Sequence, residues 1–185
     1  MRRPILLAVL LITLVACGDD DPPVVSDTTT TTAIADERVL HVEPDGLLVD
    51  AEPLAFGSEG AAAVDVVGGV LGEPDEQAEQ PECPPGPATV ARFGDIGSSL
   101  LLTVQDGALV GWSIAAGSTL TTSAGIGIGS TKAEVEAAYG PVEVIPDSTL
   151  GVEVFVEGGI SALLTEDEPD GAVTALWAGA NCIFR

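Results

Sequence analysis

The chain has 185 residues and a formal net charge of −23, and 46% of its residues are hydrophobic. That apolar content excludes a chain disordered throughout, and the length suits one medium domain or two small ones. The negative charge repels phosphate backbones, which excludes nucleic-acid binding, and fits either solubility in a cation-rich medium or a basic partner.

Arg2 and Arg3 open the chain, and Ile5 to Val15 is apolar apart from Thr13. A spanning helix needs about 20 apolar residues, so this stretch suits a secretory signal better than a transmembrane anchor. Leu14-Val15-Ala16-Cys17 ends it with a small residue before a cysteine. The arrangement resembles the lipobox of bacterial lipoproteins. The resemblance implies a signal peptide over residues 1–16, a diacylglycerol on the Cys17 thiol and a mature chain that begins there. Two or three acyl chains anchor firmly, because each buried CH₂ contributes ~0.8 kcal/mol. The expected location is the extracytoplasmic face of a cell membrane.

Residues 17–36 read as a disordered spacer between lipid and domain. Asp19-Asp20-Asp21, Pro22-Pro23 and the run Thr28 to Thr32 cannot bury enough surface to fold. The threonines also offer hydroxyls for glycosylation in an exported chain. Without Arg2 and Arg3 the basic residues are Arg38, Arg92, Lys132 and Arg185, against 29 acidic ones.

Residues 37–53 form an expected hairpin that turns at Pro44-Asp45-Gly46. The lone histidine, His41, falls on its more polar side. Any serine–histidine or cysteine–histidine catalysis would have to use it. An exposed strand position is the commoner role for such a residue.

Beyond this the chain repeats, over residues 54–117 and 118–185. Gly57-Ser58 opens a helix to about Leu71, stopped at Gly72-Glu73-Pro74. Gly129-Ser130 opens a second to about Tyr139, stopped at Gly140-Pro141. Thr131 with Glu134 forms a capping-box pattern. Phe93 to Thr103 aligns without gaps on Phe155 to Thr165. The identical pairs are Phe93/Phe155, Gly97/Gly159, Ser99/Ser161, Leu101/Leu163, Leu102/Leu164 and Thr103/Thr165. Asp106-Gly107 and Asp170-Gly171 then signal hairpin turns into last strands that carry Trp112 and Trp177. The expected fold is α+β: two tandem helix-plus-antiparallel-sheet repeats that form a curved sheet with helices on one face.

Gly127-Ile128-Gly129-Ser130-Thr131-Lys132-Ala133-Glu134-Val135, followed by Tyr139-Gly140-Pro141, resembles the helix-opening motif of the BamE-like and beta-lactamase-inhibitory-protein-like superfamily. The resemblance covers roughly residues 54–182 and implies a protein-binding, non-catalytic role. The first repeat departs from it, since Ser58 precedes Glu59-Gly60-Ala61 without a Thr-x-x-Glu box. The placement of Cys83-Pro84 and Gly179-Ala180-Asn181-Cys182 also resembles uncharacterised actinobacterial lipoproteins.

With Cys17 assigned to lipid, Cys83 and Cys182 remain. Outside the cytoplasm two such thiols normally pair, and a metal site is the rival reading. Two separated cysteines and a distant histidine do not make a zinc constellation. Gly125-Ile126-Gly127-Ile128-Gly129 fits neither the dinucleotide nor the Walker spacing. Paired carboxylates for glycoside hydrolysis would need a deep cleft. Glu166, Asp167, Glu168 and Asp170 are a candidate calcium loop, against the plainer reading of a solvated hairpin loop. Trp112 and Trp177 are core aromatics or, on an open sheet face, partner anchors with Phe155. Strand parity leaves this unsettled, because Arg92 stands where an inward valine is expected. No cofactor and no catalytic residue are expected. The expected function is binding of another envelope or extracellular protein through the sheet face. A small-ligand or cation module is the alternative and a small hydrolase the third reading.

Overall fold

The computed structural model describes residues 38–183, apart from 98 and 157. The signal segment, Cys17 and the spacer lie outside the described residues. Three strands come first: β1 (Leu40–Glu43), β2 (Gly46–Val49) and β3 (Glu52–Ala55). They pair as an antiparallel sheet in that order. Helix α1 (Gly60–Leu71) precedes β4 (Glu76–Gln80), β5 (Ala88–Phe93), β6 (Leu100–Gln105) and β7 (Ala108–Ala115). Helix α2 (Lys132–Tyr139) precedes β8 (Val142–Val144), β9 (Val152–Val156), β10 (Ile160–Leu164) and β11 (Val173–Gly179). These eight strands form one antiparallel sheet in the order β4-β5-β6-β7-β11-β10-β9-β8.

The protein is therefore mostly β, which corrects the α+β expectation of two helix-plus-sheet repeats. The helices are only 12 and 8 residues long. Helix α1 buries Gly60, Ala63, Val64 and Val67, side chains with little apolar area. Helix α2 carries Lys132, Glu134 and Glu136, and Val135 is its one buried residue. Neither helix can cover a sheet of this width, and a second sheet does part of that work. Leu40, Val42, Leu47 and Val49 of the small sheet share one buried cluster with the large sheet and both helices. The expected hairpin over residues 37–53 is in fact part of this three-stranded sheet.

Local chemistry accounts for the element boundaries. Asp106 and Gly107 both take positive φ, 51° and 80°, which is the two-residue turn that suits twisted strands. The Thr131 hydroxyl accepts from the Glu134 N–H at 3.2 Å, and Glu134 Oε2 accepts from the Thr131 N–H at 2.7 Å. These satisfy donors that a helix start otherwise leaves open. At α1 the cap is Glu59, whose carboxylate accepts from the Ala61 and Ala62 N–H groups at 3.1 and 2.6 Å. Asp170-Gly171 is not a tight turn, because β10 ends at Leu164 and β11 resumes only at Val173.

One face of the large sheet holds the core. Ala91, Leu102, Trp112, Ala178, Ile160 and Val156 stand opposite one another across six strands. All six are buried. Trp112 is 0% exposed, and its Nε1–H donates to the Glu43 carbonyl at 2.7 Å, tying the two sheets together.

Candidate functional site

Residues directly opposite in an antiparallel sheet share a face, and neighbours along a strand alternate. The row next to the core row therefore defines the second face: Arg92, Leu101, Ser113, Trp177, Ser161 and Phe155. Trp177 thus lies on the face opposite Trp112. Its 5% exposure shows that something covers it.

Two segments supply the cover. The first follows β11. The Ala180 N–H donates to the Val110 carbonyl at 2.8 Å. The Asn181 amide donates to the Ala178 and Gly179 carbonyls at 2.8 and 3.2 Å. Gly111 permits this crossing, since a Cβ there would strike the Ala180 backbone. Gly179, at φ 72°, supplies the bend. Cys182 is then bonded to Cys83 in the β4–β5 connection, with the Cα atoms 4.7 Å apart and 99 residues between them in sequence. Residues 180–183 are thus a strap across the sheet.

The second cover is the loop 145–151. The Ile145 N–H donates to the Glu153 carbonyl at 2.8 Å. The Ser148 hydroxyl donates to Glu153 Oε2 at 2.6 Å, so the buried carboxylate of Glu153 holds the loop in place. Leu150 comes to rest beside the strap.

Between the two covers is a hollow of about 220 Å³, whose walls include Leu101, Leu150, Leu163, Trp177 and Ile183. Ser99 and Ser113 contribute the polar side chains, and no titratable group lines it. Such a lining can desolvate an apolar group and offers no acid, base or metal ligand for chemistry. Phe155, on the same face, is 37% exposed, the largest exposed side chain there.

The candidates from the sequence separate as follows. Trp112 is core and is corrected as a partner contact. Trp177 walls the hollow under its covers, and Phe155 lies exposed on the same face. The Cys83–Cys182 bridge is present. His41 lies in β1 with Nδ1 3.2 Å from the Thr121 carbonyl. Glu166, Asp167, Glu168 and Asp170 are exposed, and Asp167 pairs with Lys132 at 2.6 Å. Among the described residues no group of three or more histidines, cysteines or carboxylates is gathered as a metal ion requires. No helix among them is long and apolar enough to cross a membrane. Leu101, Leu150, Leu163 and Ile183 were not singled out from sequence. The Leu101/Leu163 identity marked two of them, but nothing local said which face they take.

Electrostatics around the domain is one-sided. Arg38 pairs with Asp50 at 2.7 Å, Arg92 with Glu76 at 3.2 Å, and Lys132 with Asp167. The hydrogen bond from Arg38 holds the Asp50 carboxyl below the usual carboxylate range. The hydrogen bond to Asp167 pushes the Lys132 ammonium up. The Thr131 backbone N–H, and then its hydroxyl, hold Glu134 down. Every described arginine and lysine is thus neutralised inside the molecule, and the remaining surface charge is negative.

No protein-family model matches the sequence, and no curated protein matches it. Among solved structures, a cysteine-rich secretory protein from Staphylococcus aureus is similar over 75% of this chain and 48% of that one. The identity is 12% and the TM-score 0.41, a likeness too slight to carry an argument. The chain thus spans about half the length of that protein.

Proposed function

We propose that this is a non-enzymatic lipoprotein, held on the extracytoplasmic face of a cell membrane by lipid on Cys17. Its task is to bind another envelope or extracellular protein through the second face of the eight-stranded sheet. The observation that carries the reading is the apolar hollow walled by Trp177 and Leu163, on the same face as the exposed Phe155. Aromatic and aliphatic groups gathered around a desolvated pocket are the anchors of protein interfaces. Ligand pockets for drug-sized molecules run from roughly 300 to 1,000 Å³, so this hollow favours a protein side chain over a free ligand. Hydrolysis would need convergent titratable groups, and the lining supplies none.

The test is a photo-crosslinking amino acid at position 155 of the lipidated protein in its own cells. Position 65, an exposed site on α1, is the control. Discrete protein adducts from position 155, absent from position 65, are expected. Cys17→Ser should abolish lipid labelling and release the protein from the membrane. Identical products at the two positions, or persistent lipid labelling of the Cys17→Ser chain, would refute the reading.

A further inference from the structure

We infer that the hollow receives a single large apolar side chain presented by a lysine- and arginine-rich segment of the partner. This rests on the reading above and names the chemistry of that partner.

Three observations carry it. The lining is apolar apart from two serines, so the inserted group has no charge to offer. The volume, about 220 Å³, lies below the range that holds extended ligands and suits one side chain. The same face and the loops that lead to the hollow carry exposed acids. Asp147 is exposed in the loop that carries Leu150, Asp95 is exposed in the connection that leads to Ser99, and Glu143 stands opposite Phe155. Arg92, the basic group on this face, is already paired with Glu76.

Charge also decides among occupants. A second copy of this chain carries the same strong negative charge and is repelled, and so is an anionic lipid surface. A basic segment is attracted to the face before contact. Such steering raises association rates by roughly 10- to 1,000-fold and is screened by salt.

The two tryptophans make the test direct, because one is core and one walls the hollow. The mature lipidated protein, labelled with 5-fluorotryptophan in neutral detergent micelles, gives two fluorine resonances, assigned with Trp177→Phe. The probe is a peptide of six lysines flanking one phenylalanine. It is expected to move the Trp177 resonance and leave that of Trp112 in place. Replacing the phenylalanine by alanine, replacing the lysines by glutamates, or adding concentrated salt should each weaken the response about tenfold or more. Ala175→Phe fills the hollow from its floor and should abolish the response, with an unchanged Trp112 resonance as the check on folding. Leu150→Ala, in a loop and mild for the fold, should weaken it severalfold.

The inference is overturned if the basic peptide leaves Trp177 unmoved, if the acidic peptide acts as well, or if both resonances move together. Crosslinking from position 155 that persists beside a silent Trp177 sinks this inference and leaves the proposed function standing. A responsive Trp177 without position-specific crosslinks does the reverse.

Discussion

Removing the Cys83–Cys182 bridge, by Cys83→Ala with Cys182→Ala, is expected to destabilise the domain well beyond the loss of two small side chains. The bridge closes a loop of 99 residues in sequence separation. Chain entropy for a loop of about 100 residues corresponds to about 4.7 kcal/mol at 25 °C. For a domain of this size each kcal/mol moves the melting temperature by about 2–4 °C, so a fall of about 10–19 °C is expected. Calorimetry of the mature protein, with and without a dithiol reductant, measures it, and the double variant should match the reduced wild type. The strap makes a second signature. Without the bridge, residues 180–183 are held by the hydrogen bonds of Ala180 and Asn181 and by Ile183 against the hollow, and Trp177 gains solvent while Trp112 does not. Its fluorescence emission should therefore shift to the red below the melting transition. A fall of under about 5 °C with that red shift would mean that the bridge pins a tail and does not constrain the unfolded chain, and the entropic reasoning fails.

Trp112→Phe removes the donor to the Glu43 carbonyl and leaves unfilled volume in the core, at an expected cost of about 2–4 kcal/mol in urea unfolding. A cost under about 1 kcal/mol would show that the tie between the sheets contributes little. Thr131→Ala should cost about 1 kcal/mol at neutral pH through loss of the α2 cap, and an unchanged urea midpoint would contradict it. The folded Glu134 carboxyl titrates below its ordinary value of 4.5, so its stabilisation is present above that value and is lost as pH falls through the lower folded one. Glu134→Gln should accordingly flatten the fall in stability over that acid range, and parallel acid profiles for the two chains would refute this.

Much of the local structure was legible in the sequence. The turn at Asp106-Gly107, the cap at Thr131 and the pairing of Cys83 with Cys182 rest on short-range or compartment chemistry that the residue types express directly. The fold class was not legible. Edge strands β4 and β8, Glu-Gln-Ala-Glu-Gln and Val-Glu-Val, have weak patterns because one side of an edge faces water. Strand β3 carries Pro53, which gives no alternation to detect. The site was hidden by register. Leu101 and Leu163 lie on the second face, and Leu102 and Leu164 on the core face, as the gapless alignment implies. One strand earlier the alignment slips: Phe93 stands opposite Leu100 in the core, while Phe155 stands opposite Ser161 on the second face. A slip of one residue turns every side chain over. That is why Arg92 conflicted with an inward valine and why Phe155 is exposed where Phe93 is buried.

The bridge also shapes how the domain bears a load. It encloses the chain from Cys83 to Cys182 in a covalent ring that contains strands β5 to β11. Tension applied between the segments before Cys83 and after Cys182 can unravel β1 to β4 and α1, while the bridge carries the load past the ring. The pliable part, residues 38–82, extends to about 160 Å at most. Under that load the small sheet and α1 yield, and strands β5 to β11 with their second face stay out of the path of the force until the sulfur–sulfur bond is cut.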